Sequence, residues 1–254
     1  MIIGLAGDWH GNGRWARHVL ESMAAAGVTV VEQLGDFGVW PGVQGQQYLD
    51  EVQGAARRAG ITVYVTPGNH EDYDQINAMP VGDDGLQHWE GRPNIALRPR
   101  GMRWELGGRT FVSLGGAPSI DYQGRTEGVS WWKEEMITEE EALAVAEGGY
   151  ADIMLAHDSP DGGTRRVQSI IANPSSWSYA GLAYAKQGRA LMNLAYMGVK
   201  PLLFAHGHYH VWDDSGEEDA VTRFLSLNAD GFAGNGCLLD LDTLKVSWDA
   251  KTWL

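Results

Sequence analysis

Apolar positions in the first third of the chain alternate between two rhythms. Met1 to Ala6 is a short apolar run ending at glycine and aspartate, which reads as a buried strand. "RWARHVLESMAAAGV" follows with helical spacing and stops at Gly27. "VTVVEQLGD" is β-branched and closes on Gly35-Asp36, "QYLDEVQGAARRAG" is helical, and "ITVYVTPGNHED" is a third strand closing on Gly68-Asn69-His70. Strand, helix, strand, helix, strand, with polar residues at each strand's end, predicts parallel pairing through βαβ units. Ligands in such sheets bind outside the carboxyl ends of the strands, where these polar residues fall.

From Asn94 to Ala117 the rhythm shortens. Brief apolar runs separated by Arg100-Gly101 and Gly107-Gly108 predict antiparallel hairpins. Thr138 with Glu141 forms a capping-box pattern before a helix that Gly148 ends. "ADIMLAHDSP" is a further buried strand. Gly162 to Trp177, rich in Gly, Arg, Asn, Pro and Ser, reads as a loop over the strand ends, leading into a helix at "YAGLAYAKQGRALMNLAYMG". "KPLLFAHGHYH" is again a strand with a polar end, and two more strand patterns follow at "VTRFLSLNADG" and "GCLLDLDTLKVSW". With no linker, repeat or low-complexity tract, residues 1–254 are expected to form one domain.

Composition narrows the function. A formal net charge of -14 leaves no basic surplus to neutralise phosphates, so stable nucleic-acid binding and attachment to anionic membranes are not expected. One cysteine, Cys237, allows no intramolecular disulfide and is expected to be a buried small hydrophobe. The N-terminus lacks a basic region ahead of its few apolar residues, and no apolar run reaches the length of a membrane span. A cytoplasmic location is the expectation.

The candidate chemistry lies at five strand ends, which carry Asp8 and His10, Asp36, Asn69 and His70, His157, and His208 with His210. Any one of these has an ordinary structural reading. Gly-Asp pairs make turns, a single histidine more often makes a hydrogen bond than a metal bond, and "HGHYH" taken alone could be a polar loop tip. The joint pattern is different. Gathering so many such groups at one end of a sheet would crowd carboxylates together unless cations lay between them.

In order along the chain, Asp8-Trp9-His10, Gly35-Asp36, Gly68-Asn69-His70-Glu71, His157 and Gly207-His208-Tyr209-His210 resemble the motif set of the calcineurin-like metallophosphoesterases. The resemblance runs from the first strand to position 210. It implies an α/β fold of two mixed sheets packed as a sandwich and flanked by helices, with two divalent ions at the strand ends. Asp8, His10, Asp36 and His210 would hold one ion, and Asn69, His157 and His208 would join the bridging Asp36 around the other. A carboxylate can bridge where an imidazole cannot. His70 would face the substrate, contacting phosphate or protonating the leaving oxygen. Nitrogen and oxygen donors without thiolate suit Mn, Fe, Ni, Co or Zn, with Mn favoured. Two such ions clamp the attacking and leaving oxygens of an in-line displacement and activate a bridging water. His206 falls outside the motif and is expected to be packed or to lie behind the ligands.

The match then breaks off. Protein Ser/Thr phosphatases of this family continue Gly-Asp as G-D-x-x-D-R, whereas this chain has Val39 and Trp40 where the aspartate and arginine would stand. Phosphate contacts are therefore sought in Asn12 and in Arg165 and Arg166, and the group orienting His70 is left open, with Glu71 and Asp72 nearby. Trp131-Trp132 is expected to pack the core or to wall a base-stacking site, and His88 to lie at the surface. The expected activity is hydrolysis of a small phosphodiester, a nucleotide or cyclic nucleotide. The alternatives are a phosphomonoesterase, a single-strand nuclease, or a non-catalytic scaffold.

Overall fold

The computed structural model describes residues 1–174, 176–216 and 221–248. The N-terminal pattern forms as expected: β1 (Ile2–Ala6), α1 (Gly13–Ala25), β2 (Val30–Gln33), α2 (Gly42–Ala59) and β3 (Thr62–Val65). The three strands are parallel, with Leu5 opposite Glu32 and Glu32 opposite Tyr64. Asn12 caps α1 by accepting from the Trp15 N–H, and Gly60 ends α2 in the left-handed region at φ 68°. The helix α2 starts earlier than its apolar spacing indicated, directly after Pro41.

Next come α3 (Tyr73–Ala78), β4 (Gln87–His88), β5 (Ile95–Leu97), β6 (Arg103–Leu106), β7 (Arg109–Leu114), α4 (Glu139–Glu147) and β8 (Ile153–Ala156). The chain continues through α5 (Arg165–Ala172), α6 (Tyr179–Val199), β9 (Leu203–His206), β10 (Asp213–Asp214), β11 (Arg223–Ser226), β12 (Gly236–Asp240) and β13 (Lys245–Ser247). The predicted capping box of α4 is present in both directions. Among the described residues no helix is long and apolar enough to cross a membrane.

These strands make two mixed sheets, a seven-stranded one in the order β13-β12-β1-β2-β3-β5-β4 and a six-stranded one in the order β10-β11-β9-β8-β7-β6. The Gly107-Gly108 hairpin forms between β6 and β7. The Arg100-Gly101 step is not a hairpin. There the chain leaves β5 in the first sheet and enters β6 in the second, so adjacent apolar runs belong to different sheets. The segment expected as a loop between 162 and 177 contains α5, whose one buried residue, Val167, gave too weak an apolar stripe to read; Ser175 lies outside the described residues.

Strand alternation builds the layers. On β8, Ile153 and Leu155 join Ile3 and Leu5 of β1 in the core between the sheets, while Met154 and Ala156 face Val145 of α4 and Met192 of α6. The opposite face of the first sheet is covered by Val19, Leu20 and Met23 of α1 with Leu49 and Val52 of α2. The result is a four-layer α/β/β/α sandwich. Cys237 is buried in β12 within the inner core.

Candidate active site

Every motif residue stands just past the carboxyl end of a strand. Asp8, His10, Asp36, Asn69 and His70 follow β1, β2 and β3 of the first sheet, whereas His157 follows β8 and His208 and His210 follow β9 of the second. The pattern along the chain placed all of them on one sheet. The structure corrects this, since the two sheets bring their strand ends together. The turns are tight. His10, Asp36, His208 and His210 have φ of 44°, 48°, 68° and 51°, four of the seven non-glycine residues with positive φ among the described residues. Such strain persists where surrounding contacts over-determine it, commonly at functional sites. Gly35 (φ 94°) and Gly207 are needed for a second reason. A Cβ on Gly35 would overlap the His157 ring, and one on Gly207 would overlap an Asp8 carboxylate oxygen.

Donor atoms of Asp8, His10, Asp36 and His210 all lie within 4.8 Å of one another. The His210 Nε2 is 3.0 Å from Asp8 Oδ2, and His10 Nε2 is 3.5 Å from Asp36 Oδ2. Around the other Asp36 oxygen, His157 Nε2 lies 3.3 Å from Oδ1 and 3.0 Å from Asn69 Oδ1. The His208 ring sits 5.1 Å from that of His157. Asp8 and Asp36 are buried.

The direction of these hydrogen bonds decides whether cations fit. His157 Nδ1 donates to the Leu34 carbonyl at 2.6 Å, so Nε2 is left with its lone pair facing two oxygens. The Asn69 oxygen is the acceptor end of its amide, because Nδ2 donates to Ser119 Oγ at 2.9 Å. Likewise His10 Nδ1 faces Asp230 Oδ1 at 2.9 Å, which turns its Nε2 lone pair toward Asp36. Acceptors pointing at acceptors need a positive charge between them. Without metal a proton takes that place. Burial by itself would lower His157 and His10, yet the neighbouring carboxylates, Asp36 for His157 and Asp230 with Asp36 for His10, hold both up at about 10. The donor set therefore suits two divalent ions sharing Asp36, and the His10–Asp230 contact is the kind of outer partner that orients a metal-binding imidazole.

His70 makes no bond to Glu71 or Asp72. Glu71 accepts from the backbone N–H groups of Gly38 (3.1 Å) and Gly68, stapling the second and third turns together, and Asp72 caps α3. Burial, with Asp36 adding to it, pushes the Glu71 carboxyl up to about 7. What faces the His70 ring is Arg125, with Nη1 3.0 Å from Nδ1 and Nη2 3.4 Å from Nε2. Arg125 is held in turn by Asp121 through a 2.7 Å bond from Nε. A guanidinium only donates, so a ring nitrogen must offer it a lone pair and His70 is neutral in this arrangement. Asn69 is fixed through Ser119, whose hydroxyl donates to the buried carboxylate of Glu135 at 2.7 Å.

The remaining sequence candidates lie elsewhere. Asn12 is beside the centre, where its oxygen caps α1 and one N–H of its Nδ2 donates to Asp230 Oδ2 at 2.7 Å, so it braces Asp230. Arg165 and Arg166 are exposed at the start of α5 and line neither cleft at the centre. The arginines that do are Arg125 and Arg189. His206 is packed between Phe204 and Tyr209, and burial pulls it down to about 4. His88 is at the surface beside Asp84. Trp131 hydrogen-bonds Glu135, and Trp132 forms a cleft wall. Asp230 and Arg125 carried no signal in the sequence, since each stands in a turn-rich stretch far from the residue it serves.

Two clefts open beside the centre. One, of about 350 Å³, is lined by His10, Trp40, Val129 and Trp132; the other, of about 550 Å³, is lined by Asp36, Asn69, His208 and His210 and by Trp177, Leu182 and Arg189. His70 and Arg125 line both.

Comparison with known proteins agrees with this architecture. A structure of TT1561 from Thermus thermophilus superposes with a TM-score of 0.57 at 13% identity, covering 97% of this chain and 96% of that one. A dimetal phosphatase from Danio rerio (13% identity, 94% and 91% covered, TM-score 0.49) and a protein described as a novel archaeal phosphodiesterase (11% identity, 97% and 98% covered, TM-score 0.46) are more distant. No curated protein matches the sequence. The sequence profile described as calcineurin-like phosphoesterase matches residues 1–212, and with the four-layer sandwich and the metal-donor cluster at its strand ends this chain belongs to that metal-dependent family.

Proposed function

We propose that the protein is a metal-dependent phosphodiesterase acting on small nucleotide esters. The observation that carries this reading is the cluster of donor atoms from Asp8, His10, Asp36 and His210, with Asn69 and His157 meeting at the other Asp36 oxygen, the ring of His208 next to that of His157, and His70 and Arg125 at the edge. Asp8, His10, Asp36 and His210 would hold one ion, and Asp36, Asn69, His157 and His208 would hold the other, with Mn the favoured metal. When bound, two divalent ions draw charge from the phosphoryl oxygens and make water nucleophilic at neutral pH.

The chain's own residues do the rest. Arg125 takes the lone pair of His70 Nδ1, the nearer nitrogen, so that Nε2, 3.9 Å from Asp36 Oδ2, keeps its N–H as a hydrogen-bond donor to a phosphoryl or leaving oxygen as charge develops there. Arg125 is paired with Asp121, and the positive charge so reduced suits a diester monoanion better than a monoester dianion. The test is metal-reconstituted protein assayed on bis-p-nitrophenyl phosphate and p-nitrophenyl phosphate, with the diester expected to show the higher kcat/KM. Absence of metal-dependent turnover of both esters would reject the reading. His70→Ala should retain metal and lose about 10²–10³-fold in turnover of esters with poor leaving groups.

A further inference from the structure

We infer that the favoured substrate is a phosphodiester with a ring-bearing group on each ester oxygen, as in a dinucleotide, in preference to a cyclic nucleotide or a simple alkyl ester. This rests on the phosphodiesterase reading above. His70 and Arg125 stand on the border of two clefts, so a phosphate held beside them has an opening on either side. The volumes, about 350 and 550 Å³, each fall in the range of small-molecule pockets, roughly 300–1,000 Å³. A monoester has one organic group and fills one cleft. A cyclic nucleotide returns its second ester bond to the same sugar, so its bulk also lies on one side. A diester whose two groups diverge from phosphorus fills both.

The walls suit rings. Trp40 lies against Gly11, where a Cβ would overlap the indole, and its carbonyl accepts from Gln75 Nε2 at 3.1 Å. Trp132 is buried and anchored by a 3.0 Å bond from Nε1 to Asp74. Trp40, half-buried and fixed in this way, gives the smaller cleft a flat apolar face on which a base can stack, an interaction worth about 1–3 kcal/mol per base, while the buried Trp132 makes the wall rigid. Across the His70–Arg125 border, Trp177 is 49% exposed at the rim of the larger cleft, with Leu182 lining it. An exposed indole beside a polar centre offers a second stacking face. Neither cleft carries the basic tract that a longer polyanion needs, in keeping with a net charge of -14.

Two esters with the same leaving group isolate the second arm: thymidine 5′-(p-nitrophenyl phosphate) and methyl p-nitrophenyl phosphate. With metal-loaded protein the nucleoside ester should exceed the methyl ester in kcat/KM by about fivefold or more, one stacked base being worth at least that factor. Calorimetric binding of a P–C-linked dinucleoside methylenephosphonate, which is not hydrolysed, should be tighter than that of 3′,5′-cyclic AMP by a similar factor. In Trp40→Ala and in Trp177→Ala the methylenephosphonate should lose most of this advantage, and Trp40→Phe should keep it. Equal kcat/KM for the two nitrophenyl esters, or equal binding of the dinucleoside and cyclic ligands, overturns the two-arm inference and leaves the phosphodiesterase reading standing. If no ester is hydrolysed, that reading fails instead, while the binding comparison in wild-type protein still decides whether the clefts take two rings.

Discussion

At the scale of single residues, Asp230 shows how the centre is tuned from behind. Its two oxygens accept from His10 Nδ1 and Asn12 Nδ2, so one carboxylate fixes the tautomer of His10 and is itself braced by the helix cap of α1. Outer partners of this kind typically carry 10–100-fold in metal affinity. Asp230→Ala should therefore weaken Mn binding by about that factor in chelator competition, with thermal stability at saturating metal close to wild type. An unchanged affinity would mean that the His10 ring is held by its strained backbone and not by Asp230. Arg125 stands in the same relation to His70. It faces the histidine from a loop more than fifty residues away in sequence, and as a donor it favours the neutral ring, the opposite of what the carboxylate missing at position 39 would do.

At the scale of elements, the centre depends on how the two sheets are held together above their shared core. Arg98, just past β5, binds both oxygens of Glu32 on β2 (2.8 and 2.6 Å) and lies 3.5 Å over the ring of Trp104 on β6. One buried guanidinium thus links the first sheet to the second. Burial pushes the Glu32 carboxyl up, and Arg98 opposes that shift. Removing one partner of a buried pair leaves an uncompensated charge and costs about 3–5 kcal/mol. Arg98→Met is expected to lose that much in urea unfolding, and Glu32→Gln added to it should restore a large part. If the single variant were as stable as wild type, Glu32 would have to be protonated in the folded state and the contact with Trp104 would carry the link alone.

At the scale of the whole molecule, the acidic balance and the metal centre are coupled through protons. His10 and His157 are held at about 10 in the metal-free protein, above the ordinary value of 6.5. The sign follows: their contribution to folding is complete below pH 6.5 and disappears as pH rises toward 10. The metal-free protein should accordingly lose thermal stability between about pH 7 and 10 more steeply than the loaded protein. Because ligation needs the Nε2 lone pairs, filling the centre should release ~2 protons near neutral pH, read by calorimetry in buffers of different ionisation enthalpy. Apparent affinity should then rise with pH. Metal uptake with no proton release would contradict the protonated pair.

Much of this protein follows from local rules. Parallel βαβ units, the capped helices and the run of Asp, Asn and His at strand ends are legible because strand period, capping chemistry and turn preference act over a few residues. The seven residues that the family motifs mark as metal donors, and His70, each sit just past the end of a strand, so the motifs located them one by one. Other features required the folded chain. Which strand ends share a sheet, why the Arg100-Gly101 step crosses between sheets, and how α5 displaces Arg165 and Arg166 from the centre depend on which surfaces pack against which. So do Asp230, Arg125 and Trp40, whose roles come from contacts across the sandwich or across loops. His208 and His210 show both levels at once. Their spacing alone left them a possible loop tip and the family resemblance assigned them to different ions, while in the structure each takes a left-handed turn (φ 68° and 51°) that an extended strand would not contain. Short-range sequence determines which groups can bind or cap, whereas their partners are decided by the close-packed meeting of distant segments, where the energetics of burial and charge pairing belong to the assembled pair and not to either stretch of chain.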